Sequence, residues 1–273
     1  MQPTDYMSEV RTRIGAAWGY IQDFELKSRS FFSGKPYAIV CEEEPKGVNK
    51  IVRYRFIVLR GIPVNLRIPI SGCIAELRAI LDNLVWGLSQ ITGASPSCGI
   101  DFPIYLTESS LNLKEGTFEK WVRVNQAVLS KFPTGALDLI HHLQPFNPYN
   151  GSQVGSSHPI YVLNKLSNQD KHKMPLKVSG VNQDGPFHLP GPLTICGGTT
   201  FQVGKILEHN SVILEMIVPA SQPTQNFQVS AMTYIAFDKN SPASSAPVYQ
   251  FLVNMHDFVR DEVFTKFEPF FPK

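Results

Sequence analysis

The sequence has few charged residues and no marked excess of either sign. Charged residues make up 18% of the 273 positions, the formal net charge at pH 7 is +2, and the isoelectric point is about 8.3. A dedicated nucleic-acid-binding domain usually concentrates lysine and arginine on one face and has an isoelectric point above about 9. The charge therefore does not indicate nucleic acid as a partner, and the identity of any partner stays unknown.

Long hydrophobic runs are also missing. No stretch approaches about 18 uninterrupted apolar residues, the length that a membrane-spanning helix needs, so we expect no segment to cross a membrane. Residues 1–9 lack the basic stretch, apolar run and small-residue cleavage site of a secretory signal. Together these two features predict a cytoplasmic protein.

Cysteine is scarce and widely spaced. The four cysteines are Cys41, Cys73, Cys98 and Cys196. They form no C-x-x-C pair, and such spacing does not fit a zinc site. Disulfide frameworks are usual in much shorter secreted chains. We therefore expect reduced and mostly buried thiols.

Common catalytic and cofactor-binding motifs are absent as well. The sequence contains no G-x-S-x-G nucleophile motif, no H-E-x-x-H metal motif, and no phosphate-loop or dinucleotide fingerprint. His141 and His142 are adjacent, and adjacent residues of a helix point about 100° apart, so they rarely bind one metal ion together. The sequence therefore predicts neither a metal site nor a cofactor.

Apolar side chains, in contrast, are plentiful enough for a substantial core, since 43% of the residues are hydrophobic. The order of the periodic segments predicts one α+β domain, in which paired central helices pack against an antiparallel β-sheet and further helices form both termini. Its expected parts are a helix and hairpin over residues 1–69, a helical part over 70–173, a β-rich part over 174–247 and a C-terminal helix over 248–273.

Apolar residues at helical spacing predict the two central helices over residues 71–92 and 159–173. In the first, the apolar side chains that share one face are Ile74, Leu77, Leu81, Leu84 and Leu88. Ser71 is placed to cap its start and Gly93 to end it. The same spacing predicts further helices over residues 5–32, 118–125, 134–143 and 248–267.

Alternating apolar residues predict strands in two regions of the chain. An early hairpin joins residues 37–41 to residues 51–59 through a turn at 42–50. The later strands are expected at residues 176–181, 193–203, 212–218 and 227–237.

Arg53 and Arg55 share the polar face of the predicted hairpin. Such a pair of arginines favours nucleic-acid binding, but residues 42–44 are all glutamate and lie across the hairpin turn. Opposite charges on neighbouring strands stabilise a sheet. We therefore expect cross-strand ion pairs here.

The residues that could carry chemistry lie mainly at the end of the second central helix. His172 is the candidate general base or phosphate ligand, Asn168 would orient it, and Arg78 of the other helix would supply positive charge. The further candidate binding residues are Asp170, Asp82, Asn164, Lys171 and Lys173.

The same residues also have a structural interpretation. Asp170 falls on the side of its helix that carries the buried leucines, and a buried carboxylate needs a partner. In this interpretation Arg78, Asp82 and Asp170 form an ion-pair network that fixes the register of the two helices. Asn168 and His172 then cap the end of the helix.

Phenylalanine is concentrated near the C-terminus, at Phe251, Phe258, Phe264, Phe267, Phe270 and Phe271. A terminal helix that packs on the sheet of its own chain explains this density. A homodimer built on this helix is the alternative.

The chain resembles an uncharacterised family of bacterial and phage proteins through motifs that occur in order between residues 70 and 173. They are Ile70-Ser71-Gly72 leading into residues 77–86, Phe102-Pro103-Ile104, Leu143-Gln144-Pro145-Phe146, and residues 163–173. The family usually has histidine where this chain has Asn83 and often arginine where it has Lys173. The resemblance implies a fold and a link to phage or host defence.

The paired helices are also distantly similar to the HEPN superfamily of helical nucleases and nucleotide binders. The signature of that superfamily is an arginine followed a few residues later by a histidine, and residues 167–172 would occupy this frame with Ser167 in place of the arginine. That arginine would hold the scissile phosphate. The similarity therefore implies a degenerate or binding-only site.

Two functions follow as expectations. The first is an intracellular binding or interaction protein without catalytic activity. The alternative is a metal-independent ribonuclease or phosphotransfer enzyme that uses His172, Asn168 and Arg78.

Overall fold

The computed structural model describes residues 3–94, 100–109, 116–148, 155–170, 176–181, 194–198, 200–201, 206–223 and 232–272. Its α-helices are α1 (Pro3–Ser33), α2 (Arg67–Ile91), α3 (Phe118–Val124), α4 (Gln126–Leu129), α5 (Ala136–His142), α6 (Pro159–Asp170), α7 (Val248–Asp257) and α8 (Thr265–Phe267). A π-helical segment, Phe258–Phe264, joins α7 to α8. Short 3₁₀ turns lie at Val64–Leu66, Gly155–Ser157 and Glu268–Phe270.

The strands are β1 (Tyr37–Lys46), β2 (Asn49–Val58), β3 (Leu176–Val181), β4 (Thr200–Phe201), β5 (Ile206–Leu207), β6 (Ser211–Pro219) and β7 (Met232–Phe237). They form a four-stranded sheet in the order β1-β2-β6-β4 and a three-stranded sheet in the order β5-β3-β7. Neighbouring strands in both sheets are antiparallel. Helices combined with antiparallel sheets make an α+β fold, as the sequence predicts. β1 is an edge of the larger sheet.

The main hydrophobic core lies between the helices and β7. It includes Ile21, Leu77, Ile140, Leu163, Ile235 and Val259 from six different elements. α2 contacts both α1 and α6, so the two predicted central helices do pack together. α1 adds a third long helix to this pair.

α1 and α2 run antiparallel at close distance. Asn83 donates a hydrogen bond to Glu9 at 3.2 Å, and Arg13 donates to Glu76 at 2.8 Å, so later residues of α1 meet earlier residues of α2. Further along, a Cβ atom at Gly72 would lie 2.6 Å from the ring of Tyr20. Only glycine allows this approach, because van der Waals contact between carbon atoms needs about 3.5 Å or more.

α2 begins at Arg67, four residues before the predicted start at Ser71. Pro69 lies in the first turn of α2, where a proline lacks only an N–H that has no partner within the helix. Ser71 is therefore inside the helix and does not cap its start. The predicted end is confirmed, because α2 stops at Ile91 and Gly93 has φ of +66°.

The hairpin is longer and tighter than the sequence predicts. β1 and β2 pair from Tyr37 opposite Val58 to Lys46 opposite Asn49, which leaves a two-residue turn with Gly47 at φ of +63°. The predicted turn at residues 42–50 is wrong because its glutamates continue the strand.

The cross-strand ion pairs predicted for the hairpin are confirmed. Arg53 pairs with Glu44 of β1 and Glu215 of β6, and Arg55 pairs with Glu42. On the other face of β2, alternate residues are buried. The arginines therefore stabilise the sheet.

The later strands follow the sequence pattern in part. β3 has the predicted bounds, and β6 extends the predicted strand by one residue at each end. Within the described part of residues 193–203, only β4 is a strand. β7 covers the described part of the last predicted strand.

The C-terminal helix packs on its own chain, as predicted. Phe258, Phe264, Phe267 and Phe271 are buried in the main core, and the ring of Phe251 lies 5.2 Å from that of Phe237 in β7. A homodimer through this helix stays a prediction.

The expectation of mostly buried thiols is wrong for the cysteines that the structure describes. Cys73 is buried, but Cys41 and Cys196 are exposed and all three are free. Cys41 lies on β1, which has β2 as its one neighbour among the described strands. Cys98 is outside the described residues.

Candidate functional site

The predicted pair Arg78 and Asp82 forms an ion pair within α2, one helical turn apart. The Asp82 carboxylate also accepts a hydrogen bond from the backbone N–H of Phe102 at 3.0 Å, and Arg78 donates to the carbonyl oxygen of Phe102 at 3.4 Å. Burial raises the pKa of the Asp82 carboxyl, while Arg78 and the Phe102 N–H act in the opposite direction. Both side chains therefore hold the segment at Phe102 against α2.

The other predicted site residues belong to α6 or follow it. Asn164 is half-buried and Asn168 is exposed. Asp170 is the last residue of α6, and its side chain is outside the described part of the structure, as are residues 171–173 with Lys171, His172 and Lys173. The proposed constellation of Arg78 with Asn168 and His172 therefore stays a prediction, as does the part of Asp170 in the ion-pair network.

The side chain of Gln144 connects its own motif, residues 143–146, to the motif at residues 102–104. Its side chain is fully buried and donates to the carbonyl oxygens of Pro103 at 2.9 Å and Ile140 at 3.0 Å. Its amide oxygen accepts a hydrogen bond from the N–H of Tyr105 at 3.2 Å. Because Phe102 is bonded to α2, the segment from Phe102 to Tyr105 links α2 to α5.

A cleft between α3 and α5 was not predicted from the sequence, and we call it the α3–α5 cleft. Its volume is about 480 Å³. The apolar lining residues are Phe118, Val122 and Leu137, and the polar ones are Glu108, Glu119, Arg123, Gln126, Asp138 and His141. Apolar walls with a few polar groups are typical of small-ligand sites.

The start of α3 positions one wall of the α3–α5 cleft. The Thr117 hydroxyl caps the helix by accepting a hydrogen bond from the N–H of Lys120 at 3.2 Å. The N–H of Glu119 donates to the carbonyl oxygen of Glu108 at 3.0 Å. These bonds place Glu108 beside the first turn of α3.

His141 lies in the last turn of α5 and faces this wall. Its Nε2 atom is 2.7 Å from a carboxylate oxygen of Glu108. Its ring contacts Phe118 and Phe146 edge-on, with centroid distances of 5.2 and 5.3 Å. The sequence prediction considered His141 only together with His142, so it missed the contact with Glu108, which is 33 positions away.

A second cleft, of about 530 Å³, lies between the start of α6 and the C-terminal helix. Its acidic lining residues are Asp257, Asp261 and Glu262. Arg260 pairs with both aspartates, and Lys266 pairs with Glu262. The negative charge at this cleft is therefore largely compensated.

His158 and His256 are the buried histidines near this second cleft. His158 accepts a hydrogen bond from the N–H of Ile160 at 3.3 Å at the start of α6, and burial lowers its pKa to about 4. Nδ1 of His256 lies 3.2 Å from Asp257, and its ring lies 5.2 Å from Trp18. His158 is therefore neutral at pH 7.

Within the described residues, no group of three or more histidine, cysteine, aspartate or glutamate side chains could hold a metal ion. None of the described helices has both the length and the apolar character needed to cross a membrane. Comparisons of the chain with protein family models, with curated proteins and with solved structures find no match. The family resemblance and the HEPN similarity therefore stay predictions.

Proposed function

We propose that this chain is an intracellular binding protein without catalytic activity of its own. The observation that supports this proposal most directly is the pairing of Arg78 with Asp82 and with the carbonyl oxygen of Phe102. Arginine binds phosphate through the same N–H donors. A scissile phosphate at this position would have to displace a carboxylate that is tethered one helical turn away.

The polar residues of the first three motifs support the same proposal. Asp82 and Gln144 bond to the backbone between Phe102 and Tyr105, and no reacting group is needed to explain them. The α3–α5 cleft supplies a place for a ligand, since binding sites for small molecules usually measure about 300 to 1,000 Å³. A role in phage or host defence, which the family resemblance implies, is a further part of this proposal.

The test is an incubation of the purified chain with mixed RNA, beside a His172→Ala variant as the matched control. We expect intact RNA in both samples. Equal cleavage in both would show that the activity does not depend on His172 and would reject the alternative of a ribonuclease that uses this residue. Cleavage by the unmodified chain that His172→Ala abolishes would overturn it and establish the alternative, a metal-independent ribonuclease.

A further inference from the structure

The α3–α5 cleft carries a net negative charge. It is lined by the three carboxylates of Glu108, Glu119 and Asp138 and by one guanidinium, Arg123, so two negative charges remain when the His141 imidazole is neutral. Of these groups, Glu108 is paired with His141. Within the described part of the chain, Glu119, Arg123 and Asp138 form no ion pair.

The positions of Glu119 and Asp138 have a structural cause, but this cause does not neutralise their charge. Glu119 is in the first turn of α3, and Asp138 is in the first turn of α5. Carboxylates at helix N-termini are stabilised by the unpaired backbone N–H groups there. Both side chains are exposed at the cleft, so this stabilisation does not remove them from contact with a ligand.

The floor of the α3–α5 cleft is apolar and partly aromatic. Phe118, Val122 and Leu137 line it, and Phe118 belongs to a cluster of rings with Trp121 and Phe146 at centroid distances of 5.7 and 6.0 Å. Such a surface gains stability when an apolar group covers it. Aromatic faces also attract cations.

We infer that the α3–α5 cleft binds a small organic ammonium ion, whose apolar body packs on Phe118, Val122 and Leu137 and whose ammonium group lies beside Glu119 and Asp138. This inference rests on the proposed binding function and names the class of its ligand. A neutral ligand would leave the charge of the cleft unbalanced, and an anion would be repelled by it. The second cleft is less suited to a cation because its carboxylates are already paired.

The test compares three probes that share one apolar body and differ in charge, namely phenethylammonium, 2-phenylethanol and 3-phenylpropionate. Affinity is measured by calorimetry at low and high salt, and the site is located by the NMR shifts of the Val122 and Leu137 methyl groups. We expect phenethylammonium to bind about tenfold more tightly than the alcohol and its affinity to fall with added salt, because two facing charges attract it. The carboxylate should bind most weakly.

Variants that each remove one charge test which carboxylates attract phenethylammonium. Glu119→Gln and Asp138→Asn should each weaken phenethylammonium binding about two- to fivefold, as expected for an exposed charge contact. Asp23→Asn removes the same single charge from α1, where Asp23 pairs with Lys27, and should leave the affinity unchanged. All three side chains are at the surface, so the variants should fold.

Several outcomes would overturn the inference. Equal or tighter binding of the alcohol or the carboxylate would do so, as would an affinity that neither Glu119→Gln nor Asp138→Asn changes. The inference is also overturned if a lysine-containing peptide binds through Glu119 and Asp138 while phenethylammonium does not bind. The cation would then belong to a protein partner. If none of the three probes binds, the ammonium site is rejected. The proposed binding function is overturned by a different result, RNA cleavage that depends on His172.

Discussion

The backbone N–H of Phe102 donates a hydrogen bond of 3.0 Å to the carboxylate of Asp82, which is 20 positions earlier in the chain. This bond joins the centre of α2 to a segment without regular structure. Arg78 completes the arrangement through its contacts with both residues. A pair of charged residues on α2 thus positions the backbone at Phe102, whose side chain is buried.

Loss of the Asp82 carboxylate should destabilise the protein. In an Asp82→Ala variant the buried N–H of Phe102 has no acceptor, and an unpaired buried donor costs about 1 to 3 kcal/mol. Asp82→Asn keeps an acceptor oxygen and should therefore lose less stability. Urea unfolding gives the free energy of unfolding of both variants. Equal losses of stability would show that the hydrogen bond to Phe102 is not the cause of the destabilisation.

His158 should make stability depend on pH. Its pKa is about 4 in the folded chain and 6.5 in the reference state, so the unfolded chain takes up this proton first as the pH falls. The free energy of unfolding should therefore decrease between pH 6.5 and 4, by up to about 3 kcal/mol from this residue, and should be unaffected by it above pH 6.5.

His158→Asn is the matched control for this dependence. Asparagine provides an acceptor for the N–H of Ile160 at the start of α6 but does not titrate. Urea unfolding at several pH values should show a shallower decline for this variant between pH 6.5 and 4. Identical declines in the two proteins would mean that His158 does not contribute.

Two glycines of the α1–α2 pair should respond to alanine in opposite directions. Gly72→Ala places a methyl group 2.6 Å from the ring of Tyr20, so the ring or the helices must move, and the melting temperature should fall. Gly19 of α1 has no atom within 4 Å of an added Cβ, so Gly19→Ala should stabilise the helix by about 0.5 to 1 kcal/mol. A Gly72→Ala variant as stable as the unmodified chain would contradict the close contact.

The described cysteines should differ in their reactivity with iodoacetamide. Cys73 is buried, and burial raises the pKa of its thiol to about 12, so it has almost no thiolate at pH 8. Cys41 and Cys196 are exposed and should be alkylated in the folded protein. Peptide mass spectrometry before and after denaturation reports each site, and early labelling of Cys73 would show that α2 opens readily.

The helices and strands could be predicted from local sequence patterns. The errors lie at residues that usually end a helix or a strand. The spacing of its leucines predicts α2 but not its first turn, which contains Pro69. Alternating apolar residues predict the hairpin, but with too long a turn, because Pro45 and three consecutive glutamates are typical of a loop. In the structure the glutamates are strand residues, since arginines of β2 balance their charge.

The candidate site could be predicted only where its residues are near in sequence. The pairing of Arg78 with Asp82 follows from their spacing of four on one helix. The bonds of Gln144 to Pro103 and Tyr105, and the contact of His141 with Glu108, bring together residues more than 30 positions apart. No periodicity encodes such contacts, because they depend on how α3 and α5 pack.

The edge position of β1 has a consequence for association between molecules. Among the described strands β1 pairs with β2 alone, and a ten-residue strand with one side open is long enough to recruit a strand from another chain and begin an aggregate. The carboxylates of Glu42, Glu43 and Glu44 pair with Arg55, Lys50 and Arg53 of β2, so β2 balances their charge. Pro45 has no backbone N–H to donate to an added strand. The edge of β1 is therefore the place where a strand from a second copy of this chain would add, and Pro45 is the residue that interrupts it.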